Sequence, residues 1–217
     1  MTLAVGLLFA AFLSLLAACS GNAESDSPPI EPLLRSTVVV AMDDGQGSGM
    51  IIGNGLVLTA YHVVRGWVQP SVRFFDGQSR AGNVIWSEPE RDLALVKVDV
   101  PKGYPAAPLH CEETIDGQKV IAVGHPLRSE WVAVSGRLPK DLSYDRNRYV
   151  SLGVPIGRGA SGGPVFNDQG KVVGITLAIL TKRPSARKGI GYMLPASAFC
   201  PKIREKRVLF QKRYHGL

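Results

Sequence analysis

The stretch Gly157-Arg158-Gly159-Ala160-Ser161-Gly162-Gly163-Pro164 sets one serine in a run of four glycines between two β-like segments. A serine hydroxyl is a weak nucleophile at neutral pH. To attack a carbonyl it needs a base within hydrogen-bond reach and donors for the oxyanion that forms. Glycines, lacking Cβ atoms, let successive backbone N–H groups point into one small space. The amides of Gly159 and Ser161 are therefore the expected oxyanion donors. A bare G-x-S-x-G also describes an ordinary glycine-rich turn, so partners elsewhere in the chain must decide between the two.

Four histidines are present: His62, His110, His125 and His215. His62 closes the apolar run Leu56-Val57-Leu58-Thr59-Ala60-Tyr61, where a strand gives way to a turn, and a rigid strand end is a good place for a base. His125 precedes Pro126 in a turn, His110 lies beside Cys111 in a connection, and His215 is in a basic tail; all three read as structural or exposed. Asp92 stands 30 residues after His62, immediately before the buried-looking strand Leu93-Ala94-Leu95-Val96-Lys97-Val98. A carboxylate there can fix the imidazole tautomer and stabilise the imidazolium. His62 as base, Asp92 as its orienting acid and Ser161 as nucleophile form the candidate catalytic set.

Around these residues the chain reads as all-β. Short β-branched or alternating runs predict strands over 37–41, 49–52, 56–61, 71–75, 81–86 and 93–98, then over 119–123, 131–136, 149–154, 164–166, 172–179 and 191–194. Asp76-Gly77 and Asn167-Asp168-Gln169-Gly170 supply hairpin turns. Two sets of six short strands, separated by a Pro-bearing connection over 101–108, argue for barrels or a sandwich. From Pro195 a helix is expected with Phe199, Ile203, Val208 and Leu209 on its inner side, and Pro201 must lie in its first turn or break it.

At 217 residues the chain can bury a sizeable core. Its formal charge of +7 is unevenly placed, since six Lys or Arg and one Glu fall from Lys202 onward. The remainder is nearly balanced and shows no basic stripe interleaved with aromatics, which argues against nucleic acid as a partner. Residues 1–18 read as a targeting segment, apolar over Leu3 to Ala18 apart from Ser14 and ending in Leu16-Ala17-Ala18-Cys19. This is similar to a bacterial lipoprotein signal with its lipobox, although no Lys or Arg precedes the apolar run. The similarity implies a lipid on Cys19, attachment to a membrane, and, with Ser20 following, the outer membrane rather than the inner. An uncleaved anchor is the alternative, and either way the remainder is exported. Residues 19–35, rich in Ser, Pro, Asn and acids, read as a flexible tether. In an oxidising compartment Cys111 and Cys200 are either one disulfide or two separately buried thiols. They do not have the spacing of a metal site, and neither metal nor organic cofactor is expected.

Gly47-Ser48-Gly49-Met50-Ile51-Ile52, Leu58-Thr59-Ala60-Tyr61-His62-Val63-Val64, Asp92 to Val98, Val123-Gly124-His125-Pro126, the block around Ser161, Gly174-Ile175-Thr176 and Gly189-Ile190-Gly191-Tyr192 resemble, in order, the blocks of HtrA-type trypsin-like serine proteases. The resemblance runs from about residue 37 to 197. It implies two six-stranded antiparallel β-barrels, a first at about 36–100 and a second at about 117–197, within a protease domain of residues 36–200, followed by a basic tail, 201–217. It also implies protein or peptide substrates, with the stretch near Val172 to Ile179 pairing its backbone with an extended substrate. The side chains of Thr176, Ala178 and Ile179, together with Ile156, would line the specificity pocket. Pro155, Ile156, Ala178 and Ile179 offer no acid, so cleavage after small or medium apolar residues is expected.

Two departures stand out. Ala160 replaces the Asn usual in HtrA relatives and the Asp of digestive ones, so the oxyanion loop must be held by some other group. About 20 residues remain after the protease blocks, too few for the PDZ domain such proteins generally carry; the sequence sets no oligomeric state. Among competing readings, an α/β-hydrolase would need an acid and then a histidine after the serine, on strands alternating with helices. A protease-fold module that binds peptides without cleaving them would not need the intact His62, Asp92 and Ser161 set.

Overall fold

The computed structural model describes residues 27–126, 129–140, 142, 149–177 and 190–215. The segment read as a targeting signal, with Cys19, the residues Ala178 and Ile179 expected in the specificity pocket, and the side chain of His215 lie outside what it describes. Among the described residues thirteen strands form two antiparallel sheets, each curled on itself. The first holds β1 (Thr37–Met42), β2 (Gly45–Gly53), β3 (Leu56–Ala60), β4 (Ser71–Arg73), β5 (Ser79–Ala81), β6 (Asn83–Glu88) and β7 (Leu93–Lys97), in the order β5-β4-β1-β2-β3-β7-β6. Its ends approach each other where the Val84 N–H donates to Val68 O and that of Gly82 to Pro70 O. The second holds β8 (Lys119–Gly124), β9 (Val132–Arg137), β10 (Val150–Pro155), β11 (Pro164–Asn167), β12 (Val172–Leu177) and β13 (Ile190–Pro195), in the order β10-β13-β12-β11-β8-β9.

Seven strands stand where the sequence suggested six, and glycine is the reason. The single run expected over 81–86 is divided at Gly82: β5 pairs with β4, and β6 pairs with β7. A Cβ on Gly82 would lie 2.5 Å from Val96 Cγ1, so only glycine lets the chain turn this closely over the strand beneath. β3 and β7, fully buried but for Lys97, form the floor of the first sheet, with Leu56, Val57, Leu58, Leu93, Leu95 and Val96 sealed from solvent. Strands buried on both faces read as continuous apolar runs, which made these two easy to find.

Three further expectations are corrected. The tether does not reach Arg35, because α1 (Ile30–Arg35) is helical and buries Leu33. The Ser36 and Thr37 hydroxyls both donate to the Leu33 carbonyl, at 3.0 and 2.8 Å, closing the end of the helix that a Ser- and Pro-rich composition concealed. At the other end α3 (Ala196–His215) continues through Pro201, so no break falls at the start of the basic tail. The fully buried Phe199 and Ile203 hold this segment on the second sheet, and a disulfide joins Cys200 to Cys111 in the connection between the sheets, with Cα atoms 5.6 Å apart. Val208 and Leu209 point outward, 53% and 51% exposed. At about 100° per residue Val208 lies roughly opposite Phe199, and Phe210 takes the inward position instead.

Candidate active site

His62 lies on α2 (Tyr61–Val64), a single turn that begins directly where β3 ends. Two contacts seat this turn. A Cβ on Gly47 would come within 2.6 Å of both Val63 methyls, so Gly47 on β2 lets Val63 settle against the strand. On the other side Asp92 binds the turn three times: its carbonyl accepts from the Tyr61 N–H at 3.0 Å, its Oδ1 from the His62 N–H at 2.8 Å, and its Oδ2 lies 2.6 Å from His62 Nδ1. With Nδ1 held as the donor, Nε2 is left as the basic nitrogen. Asp92 reaches this position from the left-handed region, φ 56° and ψ 46°, closing the short 3-10 turn Pro89–Arg91. Asp and Asn are the side chains that tolerate such a backbone.

Ser161 stands on the second sheet's side of the cleft. Gly157 to Ala160 form a turn closed by Ala160 N–H donating to Gly157 O at 3.2 Å, with Gly159 at φ +95° in its third position. That is a type II turn, which requires positive φ there and so favours glycine. Thr176 Oγ1 donates to Ala160 O at 2.5 Å, the Gly162 N–H to Thr176 O, and the Thr176 N–H to Gly163 O. Among the described residues the N–H groups of Gly159 and Ser161 have no hydrogen-bond partner, and neither does Ser161 Oγ. His62, Gly159 and Ser161 together line a cavity of about 440 Å³, with Met42, Trp67 and Arg158 among its other walls. Ser161 and His62 thus line one cleft without a hydrogen bond between Oγ and Nε2. Such bonds are often long before substrate binds and tighten afterwards.

Ile156 and Thr176 line a different, smaller cavity of about 50 Å³ beneath the turn, with Val123, Gly124, Pro126 and Ala160. Thr176 is fully buried and its hydroxyl supports the loop from below, a role that a substrate-facing position did not suggest. His125, read as structural or exposed, is fully buried between the sheets, its ring edge-on to Trp131 and its Nδ1 accepting the Trp131 N–H at 3.0 Å. Burial pushes its pKa down from 6.5 to about 4; the Arg73 charge acts in the same direction, and the Val38 carbonyl, which favours the charged ring, is outweighed. The unfolded chain takes up this proton near pH 6.5 and the folded protein only near pH 4. Stability from this group is therefore complete above about pH 6.5, declines as pH falls to about 4, and is level below. In urea titrations between pH 7 and 4, His125→Asn, whose Oδ1 can replace Nδ1 as acceptor, should lose less stability than wild type by on the order of 3 kcal/mol. Equal losses would contradict this.

The model of the trypsin-like peptidase domain matches residues 47–175, more than half of the chain and the whole interval from Gly47 on β2 to Ile175 on β12. The chain belongs to the trypsin-like peptidase family. It is 36% identical over 163 residues to the putative serine protease HhoA of Synechocystis sp., covering 70% of this chain and 40% of that protein. It is 37% identical over 158 residues to a probable periplasmic serine endoprotease, DegP-like, of Ectopseudomonas mendocina, covering 69% and 32%. Among solved structures the serine endoprotease of Yersinia pestis superposes with a TM-score of 0.68 at 25% identity, over 82% of this chain and 64% of that one. The HtrA-type protease AlgW with tripeptide gives 0.70 at 24% identity, over 87% and 65%, a likeness of fold. The chain thus spans 40% or less of the length of these two curated relatives. In this fold His62 and Asp92 lie beside the first sheet and Ser161 beside the second, with His62 and Ser161 on the walls of one cleft.

Proposed function

We propose that the chain is an exported serine endopeptidase that hydrolyses extended or unfolded protein segments through an acyl-enzyme. The observation that carries this reading is the triple attachment of Asp92 to the His62 turn, facing Ser161 across one cleft. Ser161 Oγ attacks the substrate carbonyl while His62 Nε2 takes its proton. The oxyanion sits against the Gly159 and Ser161 N–H groups, both without other partners among the described residues. His62 returns the proton to the departing amine as the C–N bond breaks, and water then enters by the same route to release the acid. Asp92 keeps the imidazole in the required tautomer and balances the imidazolium charge. His62 is 37% exposed at its side chain and Asp92 21%, so the base is open to substrate and its orienter is partly covered.

On this reading the relatives named as periplasmic endoproteases support export, Cys19 carries the lipid that its surrounding sequence suggests, and cleavage follows small or medium apolar residues. The test is digestion of a reduced, carboxymethylated protein, with new termini mapped by mass spectrometry. Cleavage after Val, Ala or Ile is expected, and none with Ser161→Ala. Cleavage confined to Lys and Arg would contradict the specificity, and an undigested substrate the activity.

A further inference from the structure

The loop that carries the oxyanion donors has no side chain at Ala160 to hold it, and it lies on a different sheet from His62. Ala160 contributes only a methyl group, seated so closely on Gly124 that a Cβ there would lie 2.9 Å from it. Thr176 holds the loop from within the second sheet, and the polar attachment to the first sheet comes from Ser48, in the middle of β2 and fully buried. Its Oγ lies 2.9 Å from the His125 amide nitrogen and 2.8 Å from the Gly159 carbonyl. An amide N–H can only donate and a carbonyl only accept, so Oγ accepts from the first and donates to the second. The Ser48 N–H donates to Ser161 O at 2.8 Å, and Ser48 O accepts from Thr59 Oγ1 at 2.6 Å.

Gly159 and Ser161, which both line the cleft and whose N–H groups have no hydrogen-bond partner among the described residues, therefore have their carbonyls held by this one serine. β2 is also the strand on which Val63, next to His62, is seated through Gly47. We infer that Ser48 is a positioning residue for catalysis: it fixes the oxyanion donors of the second sheet relative to the base of the first. This rests on the endopeptidase reading above. It explains how the loop is organised with alanine before the nucleophile, and it assigns a catalytic consequence to a hydroxyl that contacts neither substrate nor base.

Ser48→Ala removes the Oγ link to Gly159 and leaves the backbone link to Ser161. The donors are then displaced rather than lost, so the expected fall in kcat is about 10- to 100-fold, less than the 10²- to 10³-fold typical of deleting a donor. The test uses Ala-Ala-Pro-Val p-nitroanilide as substrate and the Ala-Ala-Pro-boroVal peptide as inhibitor, whose boron becomes tetrahedral on adding Ser161 Oγ and places an oxygen in the oxyanion site. Expected for Ser48→Ala are a lowered kcat, KM within about twofold of wild type, and boronate affinity weakened by about the same factor as kcat. If this variant does not fold, Ser48→Cys, of similar shape but a weak donor, carries the same comparison. A folded variant with unchanged kcat and boronate affinity, or one whose loss lies wholly in KM, overturns the inference while the endopeptidase reading stands. Wild type that neither turns over the substrate nor binds the boronate overturns both.

Discussion

Replacing Ser161 by Ala should lower kcat by roughly 10⁶-fold, because in the proposed mechanism nucleophile, base and acid act as a unit and removal of one disables the others. The fold should be untouched. Ser161 is 8% exposed, and its Oγ has no hydrogen-bond partner among the described residues. Its loss therefore orphans nothing, and removal of an unpartnered polar atom is neutral or mildly stabilising. The backbone bond from Ser48 N–H to Ser161 O, which fixes this residue in place, does not depend on the side chain. The measurements are kcat on the p-nitroanilide and the thermal midpoint of both proteins. Activity within tenfold of wild type would falsify the assignment of the nucleophile. A large fall in the midpoint would show instead that the hydroxyl has a structural role.

Asp92→Asn has the second-largest expected effect, a loss of about 10⁴-fold in kcat with KM little changed. The argument is one of tautomers. The carboxylate now accepts from the His62 backbone N–H through Oδ1 and from Nδ1 through Oδ2. An asparagine has one acceptor and one donor. If its oxygen keeps the backbone N–H, its NH₂ faces Nδ1, which must then be unprotonated, and the ring proton moves to Nε2. A base carrying its proton on the reacting nitrogen cannot take one from Ser161. The backbone should accommodate the change, since Asn tolerates the left-handed conformation at position 92 as Asp does. Steady-state kinetics check this, with circular dichroism to confirm the fold. A loss under tenfold would mean that Asp92 shapes the turn without directing the proton.

Much of this was legible in the residues, for reasons that differ between elements. The buried strands β3 and β7 announce themselves as unbroken apolar runs, and Asp92 sits at the start of one of them, as His62 does at the end of the other. Local pattern suffices where burial is complete. It fails where tertiary contact decides. Gly82 divides a run that has strand character throughout, because Val96 lies directly beneath it. The short helix α1 exists because Leu33 finds cover and two hydroxyls cap its end, neither visible in a Ser- and Pro-rich composition. The outward placement of Val208 could have been found, since helical spacing alone puts it away from Phe199.

At the candidate site His62, Asp92 and Ser161 could be proposed from side-chain chemistry, whereas the groups that hold them in place could not. Ser48 lies 111 positions from Gly159 in the chain, and nothing in a Gly-Ser-Gly tripeptide says that its hydroxyl crosses to another sheet. Thr176 reads as a strand residue facing substrate, yet its hydroxyl turns inward to Ala160 O. His125 next to a proline reads as a turn, yet it is sealed at the interface by Trp131. Long-range hydrogen bonds of this kind carry no periodicity and no local spacing.

The central claim is that His62 activates Ser161, and reaction with a serine-directed fluorophosphonate tests it most directly. The purified chain, Ser161→Ala and His62→Ala are each treated and weighed by intact-mass spectrometry. A single adduct on wild type, none on Ser161→Ala and labelling slowed by orders of magnitude in His62→Ala is the predicted result. Equal labelling of wild type and His62→Ala, or no adduct on folded wild type even with an unfolded protein substrate present, would contradict it.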